Sequence, residues 1–328
     1  MTLPEFLSEW NDTSERLLVH TSGSTGTPKP MWVEKHRMEA SARITCDFLN
    51  LHPGDTALLC MPLDYIAGKM MVVRSLVRDL KLTVVEPSGH PFASLLPQHD
   101  ASMPPFDLVA MVPLQVYNTL QVPAECEVLR RARHLIIGGG AIDDQIASRL
   151  KDFPNAVWST YGMTETLSHI ALRRLNGPDA SEWYTPFPSV RVGLSAEGCL
   201  VIDAPLVCAE PLTTNDLCEL NDDGKFRILG RRDNIICSGG LKIQMEEVER
   251  LLKPHFTVPF VITKRSDPKF GEAVALITEG NTAEAEKICR MHLPRHWMPR
   301  HYLHVEHLPL TATGKIARKE AERLMANE

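Results

Sequence analysis

The chain has 328 residues, of which 44% are hydrophobic and 23% charged, and its formal net charge is −6. This balance is typical of a globular protein, and the length allows more than one domain. The mildly acidic charge gives no reason to expect a nucleic-acid partner, and no apolar run approaches the roughly 18 residues of a membrane helix. The Met1–Trp10 segment lacks the basic start of a signal peptide.

Eight cysteines are spread along the chain, and no two of them form a C-x-x-C pair. Zinc ribbons and redox motifs depend on such pairs, so neither is expected. Most of the cysteines stand in apolar stretches. The pattern therefore predicts buried, reduced thiols in a cytoplasmic protein.

From about Thr56 to Thr160, apolar runs of strand length alternate with helical patterns. This alternation predicts an α/β unit over residues 1–165, with a mostly parallel sheet covered on both faces. The predicted strands are Thr56–Met61, Leu82–Glu86, Asp107–Val112, His134–Ile137 and Ala156–Thr160. The predicted helices are Lys69–Leu80, Pro113–Leu120 and Ile142–Lys151.

Short strands without intervening helices follow over residues 166–232, which predicts an antiparallel β subdomain. Within it, Asn221–Gly224 is a strong hairpin signal. The predicted strands are Leu167–Leu172, Val190–Gly193, Gly198–Asp203, Leu217–Leu220 and Phe226–Leu229. Residues 233–328 predict a separate small α+β domain, with helices at Met245–Leu252, Ala283–His292 and from about Ala317.

A Ser/Thr/Gly-rich stretch precedes the α/β pattern. Its glycines would let the backbone approach an anion, while amides, hydroxyls and a lysine could bind phosphate oxygens. It is no Walker A loop, and a flexible linker is the alternative interpretation. The residues are Thr21, Ser22, Gly23, Ser24, Thr25, Gly26, Thr27, Pro28 and Lys29.

Two further motifs directly follow predicted strands, where α/β sheets bind ligands. Gly138–Ala141 could let a flat ring press close, and Tyr161–Thr166 offers an acid for Mg²⁺ and a hydroxyl for phosphate. A flexible turn and a helix cap are the respective alternatives. Downstream, Asp216 and Arg231 could bind a ribose, and Lys315 lies on a glycine-containing loop near the C-terminus.

These five pieces, in this order, resemble the adenylate-forming superfamily of acyl-CoA synthetases, adenylation domains and luciferases. The resemblance runs from about Leu17 to Ile316. It implies that the Thr21–Lys29 loop holds the ATP phosphates. It further implies an adenine, phosphate, magnesium and ribose site made by Gly139, Gly140, Ala141, Tyr161, Gly162, Thr164, Glu165, Asp216 and Arg231.

The resemblance also implies that residues 1–232 form a body and residues 233–328 a mobile lid that turns about Asp233. Ser238, Gly239 and Gly240 would enter the site for thioester formation, and Lys315 would act in adenylation. The implied reaction uses ATP, Mg²⁺ and CoA. A small carboxylic acid attacks the α-phosphorus of ATP, and a thiol then attacks the acyl-adenylate.

Two departures from the family pattern stand out. The phosphate loop begins at residue 21, whereas full-length relatives carry a long α/β region before it, so a reduced acyl pocket or oligomer contact is expected. In Pro62–Gly68, Tyr65 replaces a common histidine at the pocket entrance. The sequence leaves the oligomeric state open, with a homodimer among the alternatives.

The short chain and the Pro62–Met71 segment resemble the bacterial o-succinylbenzoate–CoA ligases of menaquinone biosynthesis. Such a dicarboxylate needs a cation in its pocket, and Lys69 is the candidate, with a solvent-facing lysine as the alternative. A basic stretch from Arg295 to His301 is a candidate for the CoA phosphates, or a solvated face. Two other functions stay open: loading an acid onto a carrier protein, and a non-catalytic nucleotide or acyl-adenylate sensor.

Overall fold

The computed structural model describes residues 1–20, 30–96, 104–142, 144–311 and 316–328. The helices in these ranges are α1 Leu3–Trp10, α2 Lys35–Phe48, α3 Ile66–Arg78, α4 Pro113–Gln121, α5 Pro123–Arg131, α6 Asp144–Leu150, α7 Met245–Leu252, α8 Thr282–His292 and α9 Arg318–Ala326. The strands are β1 Arg16–His20, β2 Pro30–Glu34, β3 Thr56–Leu59, β4 Lys81–Val84, β5 Leu108–Met111, β6 His134–Ile137, β7 Ala156–Gly162, β8 His169–Arg174, β9 Thr185–Pro186, β10 Arg191–Leu194, β11 Cys199–Asp203, β12 Leu212–Leu220, β13 Phe226–Arg231, β14 Ile235–Ser238, β15 Leu241–Gln244, β16 Phe260–Asp267, β17 Gly271–Thr278 and β18 His301–His304.

A seven-stranded sheet in the order β4-β3-β5-β6-β7-β8-β9 forms the centre of the body. Its neighbours from β4 to β7 pair in parallel, and β8 and β9 are antiparallel additions. All four residues of β5 are buried, as expected for a parallel strand covered on both faces. The predicted α/β sheet is therefore confirmed. The run near Leu167–Leu172, which we assigned to the β subdomain, instead contributes β8 to this sheet.

A second sheet, β10-β11-β12-β13, is antiparallel throughout. The predicted hairpin at Asn221–Gly224 joins β12 to β13, where the Asn221 amide donates to the Lys225 carbonyl at 2.9 Å. Gly224 has a φ of 73°, a conformation that costs little without a Cβ. The same hairpin pairs Asp216 of β12 with Arg231 of β13.

The C-terminal strands form a five-stranded sheet, β15-β14-β17-β16, with β18 parallel to β17. Its hydrophobic residues belong to two clusters that are separate from the body core. The body cluster extends to Phe226, and the next cluster begins at Ile236. We keep the division between residues 232 and 233 as a proposal.

Helix α1 packs on the body through the fully buried Phe6. Its N-terminus is closed by a capping box, in which Thr2 and Glu5 each satisfy the other's backbone amide. All eight cysteines are free thiols, and six of them are buried. Among the described residues, no helix has the length and apolar character needed to cross a bilayer.

Candidate functional site

Three side chains that the sequence predicts to bind the nucleotide meet where β7 ends. The Tyr161 hydroxyl donates to Asp216 Oδ2 at 2.6 Å, and Arg231 donates to Asp216 Oδ1 at 3.1 Å. Each carboxylate oxygen therefore holds one internal bond and keeps an acceptor position for a further donor. Burial, together with the neighbouring Asp216 carboxylate, raises the pKa of the Tyr161 phenol, which stays a donor.

Aromatic side chains fix the ring of Tyr161. Phe226 meets it edge to face, with ring centroids 5.1 Å apart, and Tyr184 stacks on Phe226 at 5.4 Å. The Tyr184 hydroxyl lies 2.8 Å from that of Ser159, so its polar end is also satisfied. The Tyr161 ring, which is predicted to stack on adenine, is thus packed against Phe226 on one side, and Asp216 accepts a hydrogen bond from its hydroxyl.

Two glycines allow close approach of backbone around the end of β7. A Cβ on Gly138 would lie 2.4 Å from Thr160 Oγ1, and one on Gly162 would lie 2.1 Å from the Ser168 carbonyl oxygen. Gly139 has a φ of 80°, which favours glycine. The glycine motif directly follows β6, and the Tyr161 motif begins within the last residues of β7, so both lie at the carboxyl ends of neighbouring parallel strands.

A cation that sequence reasoning missed lies beside this edge. Arg74 of α3 is 2% exposed and donates to Ser168 Oγ at 2.6 Å. Among the described residues, its Nε has no hydrogen-bond partner and no carboxylate lies within ion-pair distance. Burial lowers the pKa of its guanidinium to about 10.

A buried relay supports this arginine. Because a guanidinium only donates, Ser168 accepts from Arg74 and is free to donate to His169 Nδ1, 3.2 Å away. The Nε2–H of His169 then donates to Thr45 Oγ1 at 3.0 Å, and Thr45 donates to the Ser41 carbonyl. Burial, with the nearby Arg74 charge, lowers the pKa of His169 far below its ordinary value, so the ring is neutral.

The region after β13 connects the Asp216 cluster to the C-terminal unit. Asp233 accepts from Arg231 at 3.3 Å and from the Asn215 amide at 3.2 Å. Gln244, which ends β15, donates to the Arg231 carbonyl at 2.9 Å. A Cβ on Gly230 would lie 2.4 Å from the Gln244 amide nitrogen, so the two strands approach closely here.

The model of the AMP-binding enzyme family matches residues 8–203, which is more than half of the chain. The chain belongs to the AMP-binding enzyme family.

Relatives of this AMP-binding enzyme include ligases. The 2-succinylbenzoate–CoA ligase of Lactococcus lactis is 24% identical over 95% of this chain and 72% of its own length. That of Bacillus thuringiensis is 25% identical over 94% and 70%. An acyl-CoA synthetase (AMP-forming)/AMP-acid ligase II-like protein from Dyadobacter fermentans is 33% identical, with a TM-score of 0.65 over 98% of this chain and 93% of its own.

The fold has further solved counterparts. The o-succinylbenzoate CoA synthetase of Bacillus subtilis, in complex with the acyl-adenylate OSB-AMP, superimposes with a TM-score of 0.77 at 22% identity, over 93% of this chain and 68% of its own. At that identity the likeness concerns the fold. The predicted fold class and the predicted enzyme class, an adenylate-forming acid–CoA ligase, are confirmed.

The AMP-binding enzyme presents the other predicted residues as follows. Thr164 is buried and Glu165 is exposed, in a short turn directly after β7. Gly239 and Gly240, with φ values of 58° and 84°, form a two-residue hairpin turn between β14 and β15, and Ser238 precedes it. Gly140 and Ala141 are exposed beside Gly139. The phosphate loop, Thr21–Lys29, and Lys315 lie outside the described residues.

The two predicted pocket residues are both located on the start of α3. Tyr65 occupies the N-cap position of the helix without a capping hydrogen bond from its side chain, and it forms a parallel bridge with His20, which immediately precedes the phosphate loop in the chain. Lys69 is buried rather than facing solvent, with its Nζ 5.3 Å from the Phe6 ring of α1. Burial lowers the pKa of Lys69. Contact with an acyl substrate stays a prediction for both.

Proposed function

We propose that this acid–CoA ligase activates o-succinylbenzoate with ATP and transfers it to CoA. The observation that carries the nucleotide part is the convergence of Tyr161, Asp216 and Arg231 at the carboxyl end of β7. These residues are 55 and 15 positions apart in the chain, yet they form one hydrogen-bonded cluster. Such a cluster offers a flat aromatic face, a ribose acceptor and a cation in one place.

In the proposed nucleotide complex, the Tyr161 ring stacks on adenine and Asp216 accepts from the ribose hydroxyls. Its two oxygens each keep acceptor capacity for this purpose. Arg231 bridges ribose and phosphate while still pairing with Asp216. Thr21–Lys29 and Thr164 bind phosphate oxygens, and the glycines that follow β6 leave room for the ring.

The residues present also fit a magnesium ion. Mg²⁺ usually binds one or two carboxylates together with substrate phosphates and keeps several waters. The described part of the chain holds no group of three or more His, Cys, Asp or Glu side chains that could ligate a metal, but it has the exposed Glu165 beside the nucleotide cluster. Glu165 would hold the ion, which when bound neutralises phosphate charge.

The proposed reaction has two steps. A carboxylate oxygen of the acid attacks the α-phosphorus, the bond to pyrophosphate breaks, and Lys315 stabilises the developing charge. Turning of the lid about Asp233 then brings Ser238–Gly240 towards the site. The CoA sulfur, having lost its proton, attacks the acyl carbonyl carbon, and AMP leaves with the electrons of the broken C–O bond.

Two observations support the identity of the acid: two of the relatives are 2-succinylbenzoate–CoA ligases, and the guanidinium of Arg74 is buried. A guanidinium that is buried without a carboxylate partner among the described residues is costly, and an anionic substrate group would offset that cost. Arg74 contacts Ser168, whose carbonyl oxygen approaches Gly162 directly behind Tyr161. The second carboxylate of o-succinylbenzoate is therefore assigned to Arg74, and Lys69 remains the second candidate.

The test is a panel of carboxylic acids with ATP, Mg²⁺ and CoA, followed by AMP release and by thioester detection. We expect the highest kcat/KM with o-succinylbenzoate and no need for a carrier protein. A monocarboxylate preferred over o-succinylbenzoate would contradict the proposed acid. Acid-dependent pyrophosphate exchange without transfer to CoA would favour the carrier-loading alternative, and no exchange with any acid would favour the sensor. A cytoplasmic location belongs to the proposal, since all eight cysteines are free.

A further inference from the structure

The described residues on either side of Lys315 are joined to each other by backbone hydrogen bonds. Leu310 and Ile316 form an antiparallel bridge. The Ala317 amide donates to the Pro309 carbonyl at 2.8 Å, one step further out on both sides. Residues 309–310 and 316–317, which flank Lys315 in the chain, are therefore bonded to each other.

Arg318, the first residue of α9, ties that point to the rest of the C-terminal unit. Its two terminal nitrogens donate to the two carboxylate oxygens of Glu249 on α7, at 3.0 and 2.8 Å. One of them also donates to the Ile262 carbonyl of β16 at 3.2 Å. Such a two-pronged pair fixes orientation as well as distance.

Glu249 is itself held in place. Its Oε1 accepts from the Ile262 amide at 2.9 Å, so the same residue of β16 bonds to both members of the pair. The side chains of Arg318 and Glu249 are 27% and 22% exposed, so solvent screens the pair only partly. Burial alone would lower the pKa of Arg318, but the Glu249 carboxylate outweighs it and leaves that pKa raised.

We infer that Arg318 is a positioning residue for Lys315, acting through its hydrogen bonds to the Glu249 carboxylate and the Ile262 carbonyl. This inference rests on the proposed function, in which Lys315 serves the adenylation step. Lys315 lies three residues before Arg318, and Ile316 and Ala317, which separate them, are both fixed by backbone bonds. A shift of Arg318 would therefore displace Ile316 and Ala317, through which Lys315 is covalently joined to it.

The test compares Arg318→Lys with Arg323→Lys. The first variant keeps the positive charge but cannot form the two parallel hydrogen bonds to Glu249, because a lysine presents a single point charge. The control changes an exposed arginine on the same helix, whose partner Glu320 is 3.1 Å away at the surface. Both half-reactions are measured: acid-dependent pyrophosphate exchange, and CoA transfer from preformed acyl-adenylate. Thermal unfolding of each variant is recorded alongside.

We expect Arg318→Lys to lower the kcat of pyrophosphate exchange by up to about 10²-fold, the effect of an ångström-scale misplacement. The KM for ATP and the CoA half-reaction should change less than about threefold, which is under 0.7 kcal/mol. Arg323→Lys should match the wild type in both assays. Glu249→Gln, which removes the charge of the partner, should show the same split as Arg318→Lys.

Loss of both half-reactions in equal measure would overturn the inference, because it would indicate a general structural role. The double variant Lys315→Ala/Arg318→Lys decides the coupling: no loss beyond that of Lys315→Ala supports it, and additive losses contradict it. Failure of the proposed function is distinguishable. It would appear as unchanged exchange in Lys315→Ala itself, whatever Arg318→Lys does.

Discussion

Replacing Arg74 by glutamine should affect stability and substrate binding in opposite directions. The variant removes the buried charge, and its shorter side chain gives up the hydrogen bond that the guanidinium donates to Ser168 Oγ at 2.6 Å. Burial shifts the pKa of Arg74 from 12.5 to about 10. At about 1.4 kcal/mol for each pKa unit, this corresponds to a cost of roughly 3 kcal/mol for keeping the charge buried.

The substrate-free variant should therefore be at least as stable as the wild type, since the lost hydrogen bond of a charged donor, about 1.5–3 kcal/mol, does not exceed the burial cost. Binding should suffer instead. Removing one member of a buried charge pair costs about 2–5 kcal/mol. We thus expect KM for o-succinylbenzoate to rise by about 30-fold or more, at about 1.4 kcal/mol per factor of ten, while KM for ATP stays near its wild-type value.

The assay is pyrophosphate exchange with two acids: o-succinylbenzoate, and a matched monocarboxylate that keeps the ring and the succinyl chain. Arg74→Gln should raise KM for the first acid only. Arg78→Gln is the control, because Arg78 follows one turn later on α3 and pairs with Asp47 at the surface. Equal losses with both acids, or a destabilised variant, would refute the assignment of Arg74 to the second carboxylate.

Three further predictions concern other parts of the body. Asp216→Asn should raise KM for ATP about tenfold or more, because a hydrogen bond to a charged group is lost. In the same exchange assay, KM for the acid should stay unchanged, and similar changes in both KM values would contradict a ribose role. Lys69→Ala tests the second candidate: a rise in KM for o-succinylbenzoate far above that in KM for ATP would favour Lys69 over Arg74, and equal effects on both would refute its pocket role. Burial, with help from nearby arginines, depresses the pKa of His169 and of His134, the latter to about 4. The unfolded chain therefore binds more protons below pH 6.5, and urea unfolding should show stability falling by about 1.4 kcal/mol per pH unit for each neutral histidine as the pH drops from 6.5 towards 4. His169→Asn should make this fall shallower, and an unchanged slope would contradict a neutral His169.

The sequence predicted those elements whose pattern is local. His134–Ile137 and Met245–Leu252 were placed with the correct bounds, since a short apolar run and an amphipathic helix signal themselves. Helix α5 was not predicted, because it is short and four of its nine residues are charged, which weakens the apolar periodicity. The sheet to which β8 belongs could not be deduced, because its apolar run would look the same in either sheet.

The same distinction holds for the site. Tyr161 and Asp216 lie in recognisable motifs, so their meeting could be expected from the family pattern. Arg74 lies in no motif, and its significance depends on Ser168, 94 residues further along the chain. The one local signal was a lone arginine within the otherwise apolar stretch Met70–Val77, apart from a serine. Arginine in such a run is seldom buried without a partner, and the sequence alone does not identify that partner.

The Arg74 relay also explains why a neutral histidine belongs beside a proposed anion site. While Ser168 accepts from Arg74, its own proton is donated to His169 Nδ1, which needs that nitrogen unprotonated. A protonated His169 would remove that acceptor and place a second cation in the same buried space. The depressed pKa of His169 keeps the relay in the accepting state at neutral pH. Thr45, by accepting from Nε2, selects the tautomer on which this orientation depends.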